Sequence, residues 1–304
     1  LAIAAEGGKL HWFNGEFTLH KPFNIWMGLV GATFLVMSSH GADQLIVQRV
    51  LTCKSVSDGR KSLALSAVII LPMFLIFLLT GTMLWVFYQS QPMAIALPEA
   101  RPGASKNDYV FPIFMLTEVP HLFKGFLVVA ILSAAMSSVS SALSALASVS
   151  TMDFVKPLLR KPRTEAFFLS FSKNSTVFWA VLLIGVAFVT QHVESVLNAA
   201  FSLSGLTAGA MLGGLILAVW WKGRPALPVI VGMITSLAVM IFISRFAWSE
   251  TVGGEAKIVK IHWPWFTLIG TAVTLFAAWL TSLVVRNPPV TPRTQPAGAT
   301  ARTP

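Results

Sequence analysis

The stretch GFLVVAILSAAMSSVSSALSALASVSTMD, residues 125–153, decides the reading of the fold. It carries no charge before Asp153. As a helix rising 1.5 Å per residue, such a run is long enough to cross a hydrocarbon layer of about 30 Å. The full apolar run covers 124–150, and others lie at 24–42, 63–88, 174–191, 196–221, 226–246 and 263–285, giving about seven transmembrane helices. The runs are rich in Leu, Ala and Val with internal Gly and Ser. That suits helices packed on helices and lacks the alternation of a lipid-facing β-barrel. The fold class read here is an all-α, polytopic membrane protein.

Composition points the same way. The chain is 55% apolar and only 11% charged, with a mean hydropathy of +0.73. A soluble domain with so few charges could not keep its surface wet. Cys53 is the single cysteine, so no intramolecular disulfide is available. The opening residues include Glu6, Lys9, His11 and Glu16 and do not read as a signal peptide. The chain is read as starting inside a longer protein.

The formal charge of +10 raises the question of a nucleic-acid partner, and its distribution argues against one. With residue 1 outside, the inner segments collect Arg49, Lys54, Arg60, Lys61, Lys156, Arg160, Lys161, Arg163 and Lys173, followed by Lys222, Arg224, Arg286, Arg293 and Arg302. The outer segments hold as many acidic as basic residues, so the whole surplus lies on one side, as the positive-inside rule requires. No basic face interleaved with aromatics in a soluble module is present. This topology makes 1–23 an extracellular segment, 24–285 the transmembrane domain, and 286–304 a cytoplasmic, disordered tail rich in Pro, Thr and Ala. The large outer segment, about 89–123, contains an apolar stretch near 110–116 that fits a surface helix, a vestibule cap or a plain connection.

Within 125–153 the serines sort by helical spacing. Ala134, Ser137, Ser138 and Ser141 fall at i, i+3, i+4 and i+7, one stripe of a helix. A hard cation such as sodium takes several neutral oxygens, so these hydroxyls could hold it together with a backbone carbonyl freed at a helix break. The same spacing serves close helix packing, and a serine can satisfy itself on the carbonyl four residues back. A second polar cluster lies in SSHGADQLIVQRVLTCKS, residues 38–55. There Asp43 reads as an interfacial charge or a buried functional group, and His40 as a solvated side chain or a proton relay. The pairs Trp220–Trp221 and Trp263–Trp265 sit at segment ends, as interfacial anchors do. Metal-spaced His pairs, a phosphate loop and a nucleophile with a positioned base are all missing from the sequence, so the chain is not read as an enzyme.

At these two clusters the sequence resembles the sodium/solute symporter family. The matching stretches are DQLIVQR (43–49) with the following LTCKS, FPIFMLTEVPHLFKGFLVVAILSAAMSSVSSALSALASVSTMDF (111–154), and FSLSGLTAGAMLGGLILAVWWKGRP (201–225). The resemblance implies the inverted-repeat, LeuT-like transporter fold, of which this chain carries the second half plus two extra helices, the N-terminal half being absent. It implies a sodium site made by the Ala134 carbonyl and the Ser137 and Ser138 hydroxyls, and a second sodium at Ser140 and Ser141. Substrate contacts fall at Ser39, where sugar carriers place an aromatic gate, and at Phe201, where they place a sugar-binding Gln. A carboxylate, amino acid or vitamin is therefore favoured over a sugar.

The function so implied is symport of a small organic solute with Na+ across the plasma membrane by alternating access. The partners are the solute, sodium, the lipid bilayer and the missing half of the transporter. Two alternatives stay open at this point. One is a proton-coupled carrier using His40 or Asp43, and the other is a transporter-like membrane sensor.

Overall fold

The computed structural model describes residues 2–10, 13–21, 23–97, 106–159, 163–190, 196–221, 225–252 and 255–285. The helices in order are α1 (Ala2–Glu6), α2 (Thr33–Ala42), α3 (Gln44–Val50), α4 (Val56–Ser90), α5 (Val110–Thr117), α6 (His121–Val149), α7 (Lys156–Leu158), α8 (Glu165–Thr190), α9 (Val196–Trp220), α10 (Leu227–Arg245) and α11 (Pro264–Val284). A π-helical turn, Met27–Ala32, leads into α2, and another, Ser150–Val155, joins α6 to α7. Two strands, β1 (Ala247–Val252) and β2 (Glu255–Lys260), pair antiparallel between α10 and α11.

Among the described residues six helices are long and apolar enough to cross a membrane, and the run at 24–42 forms a shorter apolar helix, Met27–Ala42. The run read at 174–191 begins earlier, at Glu165, so Lys173 lies inside a helix instead of in a loop. The hairpin was not foreseen. Likewise Arg60 and Lys61 sit on the first turns of α4, whose start is capped by Ser55: its hydroxyl accepts from the Asp58 amide at 3.1 Å. The disordered tail expected over 286–304 lies outside the described residues, as do Arg160, Lys161, Lys222 and Arg224.

The chain divides into two compact units, Leu1–Asn14 with Asp43–Phe201, and Gly15–Ala42 with Ser202–Pro304. In the first, the 35-residue α4 spans about 50 Å at 1.5 Å per residue, more than the hydrocarbon layer needs. Its excess length is the charged N-terminal end. Residues of the most apolar windows of α4 and α6 are 0% buried, so these faces meet lipid or further protein instead of their own chain. The apolar stretch at 110–116 forms α5, which lines a cavity of about 630 Å³ with Leu78, Trp85 and Tyr88. There the Lys9 ammonium lies 5.1 Å from the Trp85 ring.

The second unit is the better packed. Here α11 turns a small-residue face to its neighbours: Thr267, Thr271, Thr274 and Ala278 are all buried. The Ser236 hydroxyl of α10 donates to the Gly270 carbonyl at 2.8 Å, and Thr271 Oγ1, which donates to Thr267 O of its own helix at 2.7 Å, also lies 3.3 Å from Gly209 O of α9. Glycines make this approach feasible, since a Cβ on Gly209 would stand 2.7 Å from the Gly270 Cα and one on Gly232 would stand 2.6 Å from the Thr274 carbonyl oxygen. This is the small-residue packing that apolar helices use when water exclusion does not drive them together.

Just before α11, outside the spanning segment, the His262 amide donates to Leu19 O at 2.9 Å and its ring meets Phe23 edge-on at 6.2 Å. Burial lowers its pKa below the usual 6.5. Its Nδ1 is buried with no hydrogen-bond partner among the described residues. The folded state therefore holds the neutral ring, while the unfolded chain binds a proton once pH falls below about 6.5. Stability is full above that value and is lost as pH falls towards the lowered one. We expect the melting temperature in detergent to drop between about pH 7 and pH 5.5, and His262→Gln to flatten that slope. Identical slopes in the two proteins would contradict the assignment.

Candidate functional site

The α6 helix runs unbroken from His121 to Val149, so no helix break frees a carbonyl at Ala134. The expectation of a freed carbonyl is corrected here. A helical carbonyl oxygen still has a second lone pair, which leaves Ala134 O usable as a ligand beside its ladder bond. Ala134, Ser137, Ser138 and Ser140 are all exposed, on a section of α6 that the rest of this chain does not cover.

The serines of this helix divide by hydrogen bonding. Ser141 Oγ donates to Ser137 O at 2.9 Å, and Ser144 Oγ donates to Ser140 O at 2.9 Å. These two follow the self-satisfying habit of serine in apolar helices. The Ser137 and Ser138 hydroxyls have no hydrogen bond among the described residues, although each could make the same bond to the carbonyl four residues back. Two neutral oxygens one residue apart, with Ala134 O one turn earlier, are thus left available for a ligand.

Ser141 is also touched from outside α6. Arg49 Nη2, on the last turn of α3, donates to its hydroxyl at 2.9 Å. Sequence reading missed this contact, which joins residues 92 positions apart. Asp43 is the N-cap of α3, with an extended backbone, and Oδ1 accepts from the Leu45 amide at 2.9 Å. That is a structural role for the carboxylate.

Ser39 and His40 lie in the second unit, on α2. The Ser39 hydroxyl is 3.1 Å from Val36 O and 2.9 Å from His40 Nδ1, and that same nitrogen is 3.1 Å from Val36 O. Its neighbour Ser38 is the one that turns inward: it is 2% exposed and donates to Ala208 O of α9 at 2.8 Å. Phe201 is half-buried on α9 and belongs to the other unit from Ser39. Among the described residues no three or more His, Cys, Asp and Glu side chains gather in a group able to hold a metal ion.

Six helices long and apolar enough to cross a membrane among the described residues define an α-helical, multi-pass membrane protein. The profile of the sodium:solute symporter family matches residues 10–236, and the chain belongs to that family. It is 26% identical over 243 residues to the sodium-coupled monocarboxylate transporter 1 of Homo sapiens, an alignment covering 79% of this chain and 39% of that one. It is 27% identical over 245 residues to the sodium-dependent multivitamin transporter of Oryctolagus cuniculus, covering 79% and 37%. It is 23% identical over 261 residues to the sodium/sialic acid symporter NanT of Aliivibrio fischeri, covering 85% and 48%. A solved structure of a Na+-coupled sialic acid symporter, substrate-bound and outward-open, superposes with a TM-score of 0.71 at 22% identity, covering 94% of this chain and 55% of that one. The chain spans about half the length, or less, of these relatives.

Proposed function

We propose that the protein couples the entry of Na+ to the uptake of a small organic solute across the plasma membrane. Sodium is held by the Ala134 carbonyl and the Ser137 and Ser138 hydroxyls. The observation that carries this is the pair of hydroxyls, Ser137 and Ser138, without a hydrogen bond among the described residues on an exposed stretch of α6, where Ser141 and Ser144 are already satisfied. Na+ favours such neutral oxygens, and remaining ligands would come from a helix of the first repeat, outside this chain. The whole then works by alternating access, with sodium stabilising the outward-open form and solute binding permitting rocking towards the cytoplasm. The membrane potential adds about 2.3 kcal/mol per charge per 100 mV.

The solute class we favour is a carboxylate, amino acid or vitamin. Relatives named for monocarboxylates, vitamins and sialic acid support it. So does Ser39, a small polar residue where sugar carriers place an aromatic. Ser39 and Phe201 are the substrate contacts proposed. The transmembrane domain covers 24–285, residues 1–23 face outside, and the tail at 286–304 is cytoplasmic, a topology supported by the basic residues that gather on one side.

The test is uptake by lipid vesicles containing the chain with whatever its gene encodes on either side, against a panel of monocarboxylates, amino acids, vitamins and sugars, with and without an inward sodium gradient. Uptake of a carboxylate that requires sodium is expected. Sugar uptake would overturn the substrate class, and sodium-independent uptake would overturn the coupling.

A further inference from the structure

In the topology proposed above, the C-terminal end of α4 faces outside, and it forms one wall of the cavity of about 630 Å³. The sequence after α1 builds another edge. Gly7 and Gly8 end that helix, Gly8 with a left-handed backbone at φ 67°, and the Lys9 amide turns back to Ala4 O at 2.8 Å. A Cβ on Gly7 would overlap the Trp85 ring, so the glycine lets the indole lie against this turn. The turn carries the Lys9 ammonium over that ring, 5.1 Å from its centroid. A ring face attracts the charge without accepting all three N–H bonds, which leaves donors for an anion. On α4, Tyr88 stands edge-on to Phe87 and to Phe114 of α5, with ring centroids 5.2 and 6.4 Å away. Its hydroxyl is buried and has no hydrogen-bond partner among the described residues. A buried hydroxyl in that state marks a place where a further group binds. Trp85 and Phe111 add apolar faces to the same cavity. Gly81 lines it too, and a Cβ there would meet nothing within 4 Å.

We propose that this cavity is an outer binding site for an organic carboxylate with an apolar or aromatic body. The carboxylate is held by the Lys9 ammonium and the Tyr88 hydroxyl, and the body lies against Trp85 and Phe111. A cation and a hydroxyl donor select the anionic head, while the aromatic faces select the body, the division of labour usual in small-molecule sites. The volume suits one small solute. The site shares no residue with the contacts proposed at Ser39 and Phe201, or with the sodium position at Ala134, Ser137 and Ser138. It rests on the solute class proposed above, and gives the transporter a place to collect that solute from outside before sodium is bound.

The experiment measures equilibrium binding of radiolabelled phenylacetate, in sodium-free buffer, to purified protein holding the chain with its gene's flanking sequence. Saturable binding is expected, tighter than that of the neutral phenylacetamide by roughly two- to fivefold, the contribution of a solvent-exposed charge pair. Lys9→Gln should erase that preference and leave phenylacetamide binding as it was, a pattern that loss of packing would not give, while Lys9→Arg should keep the preference. Gly81→Leu, which puts a side chain into the open space, should abolish binding of both compounds without reducing the amount of folded protein. No saturable binding by the folded protein, or binding that survives Gly81→Leu, would overturn the inference. So would a Gly81→Leu protein that fails to fold, since another part of the transporter would then fill the cavity. A preference that persists in Lys9→Gln would overturn the placing of the carboxylate on Lys9. Sodium-independent uptake in the vesicle assay is a different failure: it removes the coupling proposed above and leaves this binding, measured without sodium, standing. Sugar uptake there would remove the solute class, and the cavity would then hold an anion that is not the cargo.

Discussion

Ser138→Ala is expected to raise the sodium concentration for half-maximal uptake by roughly ten- to a hundredfold, while leaving the amount of folded protein in the membrane unchanged. The magnitude follows from losing one oxygen bound to a full charge, worth about 1.5–3 kcal/mol, at 1.4 kcal/mol per tenfold. The absence of a folding effect follows from the structure: the hydroxyl is exposed and has no partner among the described residues, so its removal breaks nothing within the chain. Ser144→Ala is the control. Its hydroxyl is spent on Ser140 O at 2.9 Å, and its loss should leave the sodium dependence as it was. Equal sodium curves for Ser138→Ala and the unaltered protein would remove Ser138 from the site.

Gly209→Val should have the largest effect on folding. The Cβ alone would come within 2.8 Å of the Gly270 carbonyl carbon and the Thr271 amide nitrogen, which are backbone atoms that cannot swing aside. α9 and α11 would have to move apart, giving up the hydrogen-bonding contact between Thr271 and Gly209 as well. Overpacking of this kind costs about 1–3 kcal/mol, and the lost contact adds to it. The melting temperature in detergent should fall by several degrees, with Gly209→Ala in between. By contrast Gly81, on α4, has open space around it, and Gly81→Ala should be silent. A Gly209→Val protein that melts with the unaltered one would refute this packing.

The membrane helices were legible because their signal is local: an apolar run longer than about 18 residues has few other uses. The helix that carries the serines appeared where 124–150 predicted it, and its stripe could be read from spacing alone. What could not be read was which serines are spent. Ser137 and Ser141 are identical in pattern, yet one offers its hydroxyl and the other is held by an arginine from a distant helix. Likewise Ser38 and Ser39 are adjacent in sequence, and only packing against Ala208 decides that Ser38 is the buried one. The hairpin at Ala247–Lys260 does have a sequence signal, two strand-like runs about Gly253 and Gly254. Those runs are short and carry Glu250, Glu255, Lys257 and Lys260, so they do not stand out beside the apolar runs that flank them. Asp43 shows the limit of spacing in another way: the sequence left it as an interfacial charge or a buried functional group, and packing gives its carboxylate the N-cap of the next helix.

The most direct test of sodium coupling is accumulation of the transported solute above its external concentration in vesicles with an imposed sodium gradient and equal pH on both sides. The account predicts accumulation that a sodium ionophore abolishes and a proton ionophore leaves standing. Accumulation in sodium-free buffer, driven by a pH gradient and lost on His40→Gln, would contradict it and assign the coupling to protons.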